Sequence, residues 1–379
     1  MGKVKKSKRR SDSWIGVLLF LAAGAACGMI LGLFIDKTGA IELPFGRYML
    51  LLAGLLLTLY AAMFIQIIIH EAGHLVFGLA TGYEFLSFRV ASFMWVRTDG
   101  GVKLRRLSIA GTGGQCLLAP PDMKDGKIPY VLYNLGGSLM NLISAALFAV
   151  LSLFCRGLPY PETAFLLLAV IGAGFALTNG IPLRMGTIDN DGRNVISLGK
   201  SPAALRSFWV QMKVNEMQTR GIRIKDMPPE WFRLPEDGEL GNSMVAVEAV
   251  LYANRLMDER LFDEAAALID RLGSMDTGIV GVHMGLLRCD RIYCGLLKGE
   301  DVSHMRTKEQ LRFEKQMKNY LSVVRTEYAR LLLEEKDGAK AEKLRLNFER
   351  LAKSFPFESE AEGERELMER ARAAQEAGA

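Results

Sequence analysis

The stretch His70-Glu71-Ala72-Gly73-His74 lies inside a long apolar segment, and it decides how the rest of the chain is interpreted. Between Arg47 and Glu84, Glu71 is the only residue with a formal charge. Residues at positions i and i+4 share one face of a helix, so both imidazoles can bind one zinc ion. Glu71 then lies beside the metal, placed to take a proton from water that the metal activates.

Ionisable side chains are costly inside a bilayer, so their presence there indicates a function. The chain has only four histidines, and two of them fall in this motif. A structural pair of histidines without a metal is the alternative that the motif leaves open. The sequence therefore predicts a hydrolytic zinc site at membrane depth, with His70 and His74 as ligands and Glu71 as the catalytic base.

The composition divides the chain into an apolar first half and a charged second half. Of its 379 residues 50% are hydrophobic, and these concentrate in the first half. This predicts a basic cytosolic tail over 1–13, a membrane domain over 14–200 and a cytosolic helical domain over 201–379. The net charge of +5 is modest, and no interleaving of aromatic and basic residues suggests nucleic-acid binding. Five scattered cysteines predict neither a disulfide framework nor a cysteine metal site.

Four uncharged runs are long enough to span a membrane, and they cover about 14–35, 48–69, 130–155 and 163–183. Basic residues concentrate in the N-terminal tail and in the loop over 84–129, so the positive-inside rule places both termini and this loop in the cytosol. The expected fold is an all-α polytopic membrane domain with a small cytosolic β-hairpin insertion, followed by an α-helical, solenoid-like domain. This predicts a multi-pass integral membrane protein, located in the cytoplasmic membrane if the host is a bacterium.

A third metal ligand is expected just beyond the fourth helix. The second helix runs inward and carries His70 about 34 Å from Arg47, to the cytosolic side. The fourth helix delivers the residues after Pro182 to that same side. Zinc hydrolases commonly use three protein ligands and leave the fourth position to water. The other histidines lie in the soluble half, so Asp189 or Asp191 is the candidate, unless both belong only to an Asx-rich turn.

Three motifs in this order resemble the site-two protease family of intramembrane zinc metalloproteases. They are HEAGH over 70–74, Gly137-Ser138-Leu139-Met140-Asn141, and Asn179-Gly180-Ile181-Pro182 followed by Asp191-Gly192. The resemblance covers roughly residues 48–200 and implies one zinc ion per chain, with Asp191 rather than Asp189 as the third ligand. The chain departs from the family pattern at Ser138, where proline is usual, and in the long spacing from Asn179 to Asp191.

The resemblance implies a zinc metalloendopeptidase that cleaves a membrane-embedded protein or peptide near the cytosolic face. Asn141 and Asn179 would then orient the substrate backbone or the oxyanion, and a regulatory protein could bind the cytosolic helices. One alternative is a non-catalytic membrane scaffold with a structural or vestigial metal site and a helical partner-binding domain. Another is a zinc hydrolase that acts on a different membrane-embedded substrate.

The loop between the second and third membrane helices is predicted to form a hairpin. Segments 85–96 and 102–109 are rich in β-branched and aromatic residues, and 98–101 has the composition of a turn. Such a hairpin either covers the site or clamps an unwound substrate segment by strand addition. The glycine cluster over 111–114 is interpreted as a turn.

In the second half, the spacing of apolar residues over 244–272 is similar to one tetratricopeptide repeat, although no convincing second copy follows. Segments 305–335 and 339–355 are predicted to be long amphipathic helices. The Ala/Glu/Arg-rich end from Glu358 onward is expected to fray. A plain helical bundle remains the alternative to a repeat array.

Overall fold

A computed structural model describes residues 13–98, 100–107, 113–185 and 188–377, and this part of the chain is mostly helical. Most of the predicted basic tail, residues 108–109 of the predicted hairpin and residues 111–112 of the predicted turn lie outside the described residues. The helices and strands are α1 (Ser13–Lys37), α2 (Phe45–Ala80), β1 (Glu84–Val90), β2 (Phe93–Thr98), β3 (Gly101–Arg106), β4 (Gly114–Ala119), α3 (Tyr130–Phe154), α4 (Pro159–Gly180), β5 (Arg184–Met185), β6 (Ile188–Asp189), α5 (Asp191–Lys200), α6 (Pro202–Thr219), α7 (Ser243–Asp258), α8 (Phe262–Ser274), α9 (Gly281–Lys298), α10 (Lys308–Gln316), α11 (Leu321–Leu333), α12 (Gly338–Ala352) and α13 (Glu358–Ala377).

Helices α1 to α4 are long and apolar enough to span a membrane, at the four places where the hydropathy of the sequence predicts such helices. Helix α2 is longer than the predicted run over 48–69, because no proline or glycine pair interrupts it before Ala80. It ends where Gly82 adopts a positive φ of 89°. At 1.5 Å per residue its 36 residues extend about 54 Å, more than a bilayer core is thick. The HEAGH motif therefore lies inside the helix, not after it.

The four apolar helices pack as a bundle in which α3 and α4 form the central antiparallel pair. Helix α2 contacts both α3 and α4, whereas α1 packs mainly against α4. A small cluster around Leu167, Ile171 and Ala62 fills the contact between α1, α2 and α4. Many other large apolar side chains of these helices are exposed, Leu50, Leu57 and Phe154 among them, which is compatible with apolar surroundings.

The insertion between α2 and α3 is a four-stranded antiparallel sheet with strand order β3-β2-β1-β4. The β2–β3 hairpin is confirmed, with Thr98 opposite Gly101. The single strand predicted over 85–96 is wrong, because the chain reverses at Ala91 and forms β1 and β2 instead. Ala91 has a positive φ of 52°, a conformation that its residue type does not signal in the sequence.

The second half forms helical hairpins α7/α8, α9/α10 and α11/α12, and α13 packs on both α11 and α6. The single long helix predicted over 305–335 is wrong. The helix is interrupted at Met317, whose side chain packs with Cys289 and Val323. The predicted fraying of the C-terminal end is also wrong. Helix α13 is regular to Ala377 because four of its apolar residues, Ala361, Leu367, Met368 and Ala371, are buried in the core.

The core of this helical domain contains a cluster of charges. Arg325 is buried, forms an ion pair with Asp290, and donates from Nε to a Glu364 oxygen at 2.8 Å. Glu360 lies close to these acids and accepts a hydrogen bond from Tyr320. Burial, reinforced by the negative charges of Glu364 and Asp290, raises the pKa of Glu360 to about 8. At neutral pH this carboxyl group is therefore largely protonated.

The Glu360→Gln variant should be more stable than the wild type at high pH. Between the ordinary pKa of 4.5 and the folded value of about 8, the folded state holds a proton that the unfolded state releases. Wild-type stability therefore falls as pH rises through this window, by on the order of a few kcal/mol. Melting temperatures of the full chain in detergent at pH 5, 7 and 9 test this. The exposed Glu362→Gln on the same helix is the control, and a pH-independent difference between Glu360→Gln and wild type would contradict the prediction.

Candidate metal centre

The structure brings His70 and His74 of α2 together with Asp191, the first residue of α5. The two histidine Nε2 atoms are 3.2 Å apart, and Asp191 Oδ2 lies 3.3 Å from His70 Nε2 and 3.5 Å from His74 Nε2. A tetrahedral ion with bonds of about 2.0–2.1 Å holds neighbouring ligand atoms about 3.3 Å apart. The three atoms thus have the spacing of three corners of such a coordination shell, and the group could hold a metal ion.

The hydrogen bonds around the group point its lone pairs inward. His74 Nδ1 donates to the carbonyl oxygen of Tyr133 at 2.8 Å, and a carbonyl can only accept. In the neutral imidazole, Nε2 therefore carries the lone pair that faces Asp191. Within the described part of the chain, the buried Oδ2 of Asp191 has no hydrogen-bond partner. Acceptor atoms that converge without a proton between them favour a cation at their centre.

A relay of buried amides orients His70 in the same way. Its Nδ1 lies 2.7 Å from Asn141 Oδ1, and the Asn141 amide nitrogen donates to Gln66 Oε1 at 2.7 Å. Gln66 in turn donates from Nε2 to the carbonyl oxygen of Leu168 at 2.9 Å. Because that carbonyl can only accept, the direction of every bond in the relay is determined, and His70 Nδ1 must carry the proton. Such partners of the ligands commonly tune metal affinity.

The relay assigns Asn141 a different task from the substrate contact that the family resemblance implies. Its side chain is 0% exposed, and both its oxygen and its nitrogen are engaged by His70 and Gln66. Asn141 thus positions a ligand and has no free donor for an oxyanion. Asn179 donates to the Phe175 carbonyl within α4, and none of its described contacts reaches the three ligand residues. Gln66 is a neutral residue within an apolar run and belongs to no recognised motif. Nothing in the sequence therefore indicated its role.

Asp191 is held in place by the residues on either side of it. Asn190 caps α5, and its side chain makes four hydrogen bonds of 2.6–3.0 Å, to Leu183, Arg193, Thr178 and Ile181. Gly192 lies so close to the end of α4 that a Cβ atom would collide with the carbonyl oxygen of Gly180. The link from α4 to α5 is therefore tied to the last turn of α4, which positions the Asp191 carboxylate.

Asp189, the alternative third ligand, is engaged elsewhere. Arg184 donates to its two oxygens at 2.6 and 2.7 Å, and the Ser243 hydroxyl donates to Oδ2 at 3.1 Å. These contacts connect the paired strands β5 and β6 to α7 of the helical domain. Asp189 is therefore a structural acid, and Asp191 is the carboxylate that meets the histidines.

The Glu71 side chain lies against the sheet. A Cβ atom on Gly114, the first residue of β4, would be 2.6 Å from Glu71 Cγ and Oε1. The Tyr133 hydroxyl donates to the Cys116 carbonyl at 3.0 Å, so the β4 edge is bonded to α3 at this point. Of the two interpretations of the insertion, these contacts favour a cover over the site, since strand addition on β4 would have to displace them.

Arg89 also lies near the site. From the sequence it is only one of the basic residues that predict a cytosolic location for the loop over 84–129. It is 1% exposed, and its guanidinium donates to the Gly114 carbonyl at 3.1 Å. Burial lowers the pKa of Arg89, and its interaction with Glu71 acts in the opposite direction. A buried cation thus accompanies the half-buried acid Glu71. The sequence offers no signal for this, because Arg89 is one of seven basic residues in the loop over 84–129.

Comparison of the chain with models of protein families, with curated proteins and with solved structures gave no match.

The relay predicts that Gln66→Met weakens metal binding without unfolding the bundle. Methionine has a similar length but cannot accept from Asn141, so the His70 ring loses its fixed orientation. Loss of such a partner costs about 10- to 100-fold in metal affinity. Zinc affinity is measured by competition with a chelator. Ser144→Ala is the matched control, because Ser144 also donates to Gln66 Oε1, at 3.2 Å, but lies outside the path to His70. Equal affinities of wild type and Gln66→Met would refute the relay.

Proposed function

We propose that the protein is a zinc-dependent intramembrane endopeptidase of the site-two protease type. The observation that carries this proposal is the convergence of His70, His74 and Asp191 within a bundle of four apolar helices. In this proposal the four helices cross the membrane and both termini lie in the cytosol, together with the sheet. Cleavage of a membrane-embedded protein or peptide then takes place near the cytosolic face.

The donor set supports zinc as the metal. Two imidazole nitrogens and one carboxylate oxygen are a common ligand set of catalytic zinc, which keeps a further position open. When bound, zinc supplies an activated water and polarises the carbonyl of the bond to be cut. The hydrogen bonds from Nδ1 of each histidine hold the rings with Nε2 toward that position.

Glu71 is the proposed general base and acid. It follows His70 directly on α2, and it is the only formal charge in the chain between Arg47 and Glu84. It takes a proton from the attacking water and passes this proton to the departing amine. The sheet covers Glu71 on the side of Gly114, which keeps bulk water away from the carboxylate and strengthens its interactions.

The helical domain is proposed to be a solenoid-like array that recruits the substrate or a regulator. Its hairpins contact the sheet that covers Glu71. Arg105 donates to the Lys353 carbonyl at 2.9 Å, and the Arg106 backbone nitrogen donates to the Ser354 carbonyl at 2.9 Å. A partner on the helical domain would thus act on the β3 edge of this sheet. This is a direct physical path from the cytosolic helices to the site.

The Glu71→Gln variant should keep zinc and lose cleavage. Glutamine has nearly the same shape but cannot take a proton, and general acid–base catalysis contributes at least about 100-fold in rate. Purified wild type and variant are incubated with a panel of single-span membrane substrates, and the products are identified by mass spectrometry. Cleavage by Glu71→Gln at the wild-type rate would exclude Glu71 as the base. A zinc-loaded wild type that cleaves no member of the panel would favour the scaffold.

The zinc content should separate the two aspartates. Wild type and Asp189→Ala are expected to hold about one zinc per chain, whereas Asp191→Ala is expected to lose it. Zinc is measured by elemental analysis of the detergent-purified chains, with folding checked by circular dichroism. Zinc that persists in Asp191→Ala but disappears in Asp189→Ala would reverse the assignment. Wild type prepared without chelators that holds no zinc would refute the proposed enzyme.

A further inference from the structure

The helical domain contains a cavity of about 310 Å³, at the lower end of the size range of small-ligand pockets. Helices α6, α7, α9, α11 and α13 form its walls. All of its lining residues belong to the second half of the chain, and none of them is a residue of the candidate metal centre. Its lining combines apolar side chains with four carboxyl groups, from Asp258, Asp290, Glu360 and Glu364.

The cations of the cavity wall already have carboxylate partners. Arg325 is paired with Asp290 and Glu364, and Arg223 is paired with Asp258. Arg223 and Arg260 also share Glu366. Across the described residues, Glu360 has no ion pair, and its hydrogen bond is the one from Tyr320. Among the described residues, Glu360 is therefore the one carboxyl group of the cavity wall without an arginine partner, and it remains uncharged by keeping its proton.

Three further side chains leave hydrogen-bonding capacity open on the same wall. The buried Nδ1 atom of His283 has no partner in the described part of the chain. Burial lowers the pKa of His283, so its imidazole is neutral and can accept a hydrogen bond. The carboxamides of Asn254 and Gln218 also line the cavity, and no side-chain hydrogen bond occupies them among the described residues.

A metal ion does not explain this arrangement. In the described residues, one group of histidines and acids has the mutual spacing of metal ligands, and it is the group at His70, His74 and Asp191. The acids around Arg325 do not form such a group. An organic cation, which forms directed hydrogen bonds and tolerates wider spacing, fits better.

We propose that this cavity binds the free N-terminus of a peptide, with its ammonium group paired to Glu360. An ammonium group stabilises the ionised form of Glu360, which releases its proton to solvent on binding, and it brings three donors for the Glu360 carboxylate and neighbouring acceptors. The rings of Tyr320 and Phe357 line the same cavity and favour a cation in their neighbourhood. Asn254 and Gln218 can each donate and accept, as the first peptide units require. This site is independent of the proposed proteolysis.

The test uses the full chain in detergent and a pool of hexapeptides with randomised sequence. One half of the pool has free N-termini and the other half is acetylated. Peptides retained by the protein are recovered and counted by mass spectrometry. Free peptides should be recovered at least about tenfold more than acetylated ones, which corresponds to 1.4 kcal/mol. Glu360→Gln should abolish this preference, whereas Glu362→Gln, exposed on the same helix, should retain it.

Two results would overturn the proposal. Either the wild type retains no peptide above the background of a mock column, or acetylated and free peptides are recovered equally. A preference that survives in Glu360→Gln would also refute the assignment to this residue. Melting curves of each variant show that loss of binding is not loss of folding. Zinc content, measured in parallel, separates this result from any failure of the metal centre.

Discussion

The arrangement of His70, His74 and Asp191 depends on a close approach of two helix backbones, at Gly73 of α2 and Gly136 of α3. A Cβ atom on Gly136 would lie 2.6 Å from the carbonyl oxygen of Gly73, so neither position has room for a side chain. Gly137 is equally constrained, since its Cβ would be 2.5 Å from the His70 ring. Small residues allow such contacts between apolar helices, for which lipid offers little other driving force. This contact brings Asn141 and the Tyr133 carbonyl within reach of the histidines.

Once polar groups are enclosed by apolar helices, each of them must find a partner. Here the Leu168 and Tyr133 carbonyls determine the direction of the hydrogen bonds that end at His70 and His74. The Nδ1 atom of each histidine therefore donates to a partner outside the three-residue group, and the Nε2 atom of each faces Asp191 with its lone pair. The same reasoning applies to Asn190, whose four hydrogen bonds satisfy backbone groups at the end of α4 and the start of α5. The same bonds thus satisfy buried polar groups and fix the geometry of the candidate site.

Charge has a different role in the helical domain. Some arginines of this domain are buried together with carboxylates. A buried ion pair is tolerated only when each of its charged groups has a partner. Arg325 meets this condition with Asp290 and Glu364, whereas Glu360 meets it by retaining a proton or by accepting a cationic ligand. The contacts of Arg105 and Arg106 with the 353–354 segment then couple this domain to the sheet beside Glu71. The helical domain is thus connected, through the sheet, to the bundle of apolar helices.

The sequence by itself determined the four apolar helices, the shared face of His70 and His74, and the choice of an acid beyond α4. These features follow from hydropathy and helical spacing, which are local properties. The choice of Asp191 over Asp189 rested on a resemblance, and the geometry supports it because Arg184 and Ser243 engage Asp189. Only the tertiary structure revealed Gln66, the positioning role of Asn141 and the cover of β4 on Glu71. Gln66 meets its partners 75 and 102 positions along the chain, and contacts at such separations leave no periodic trace in the sequence.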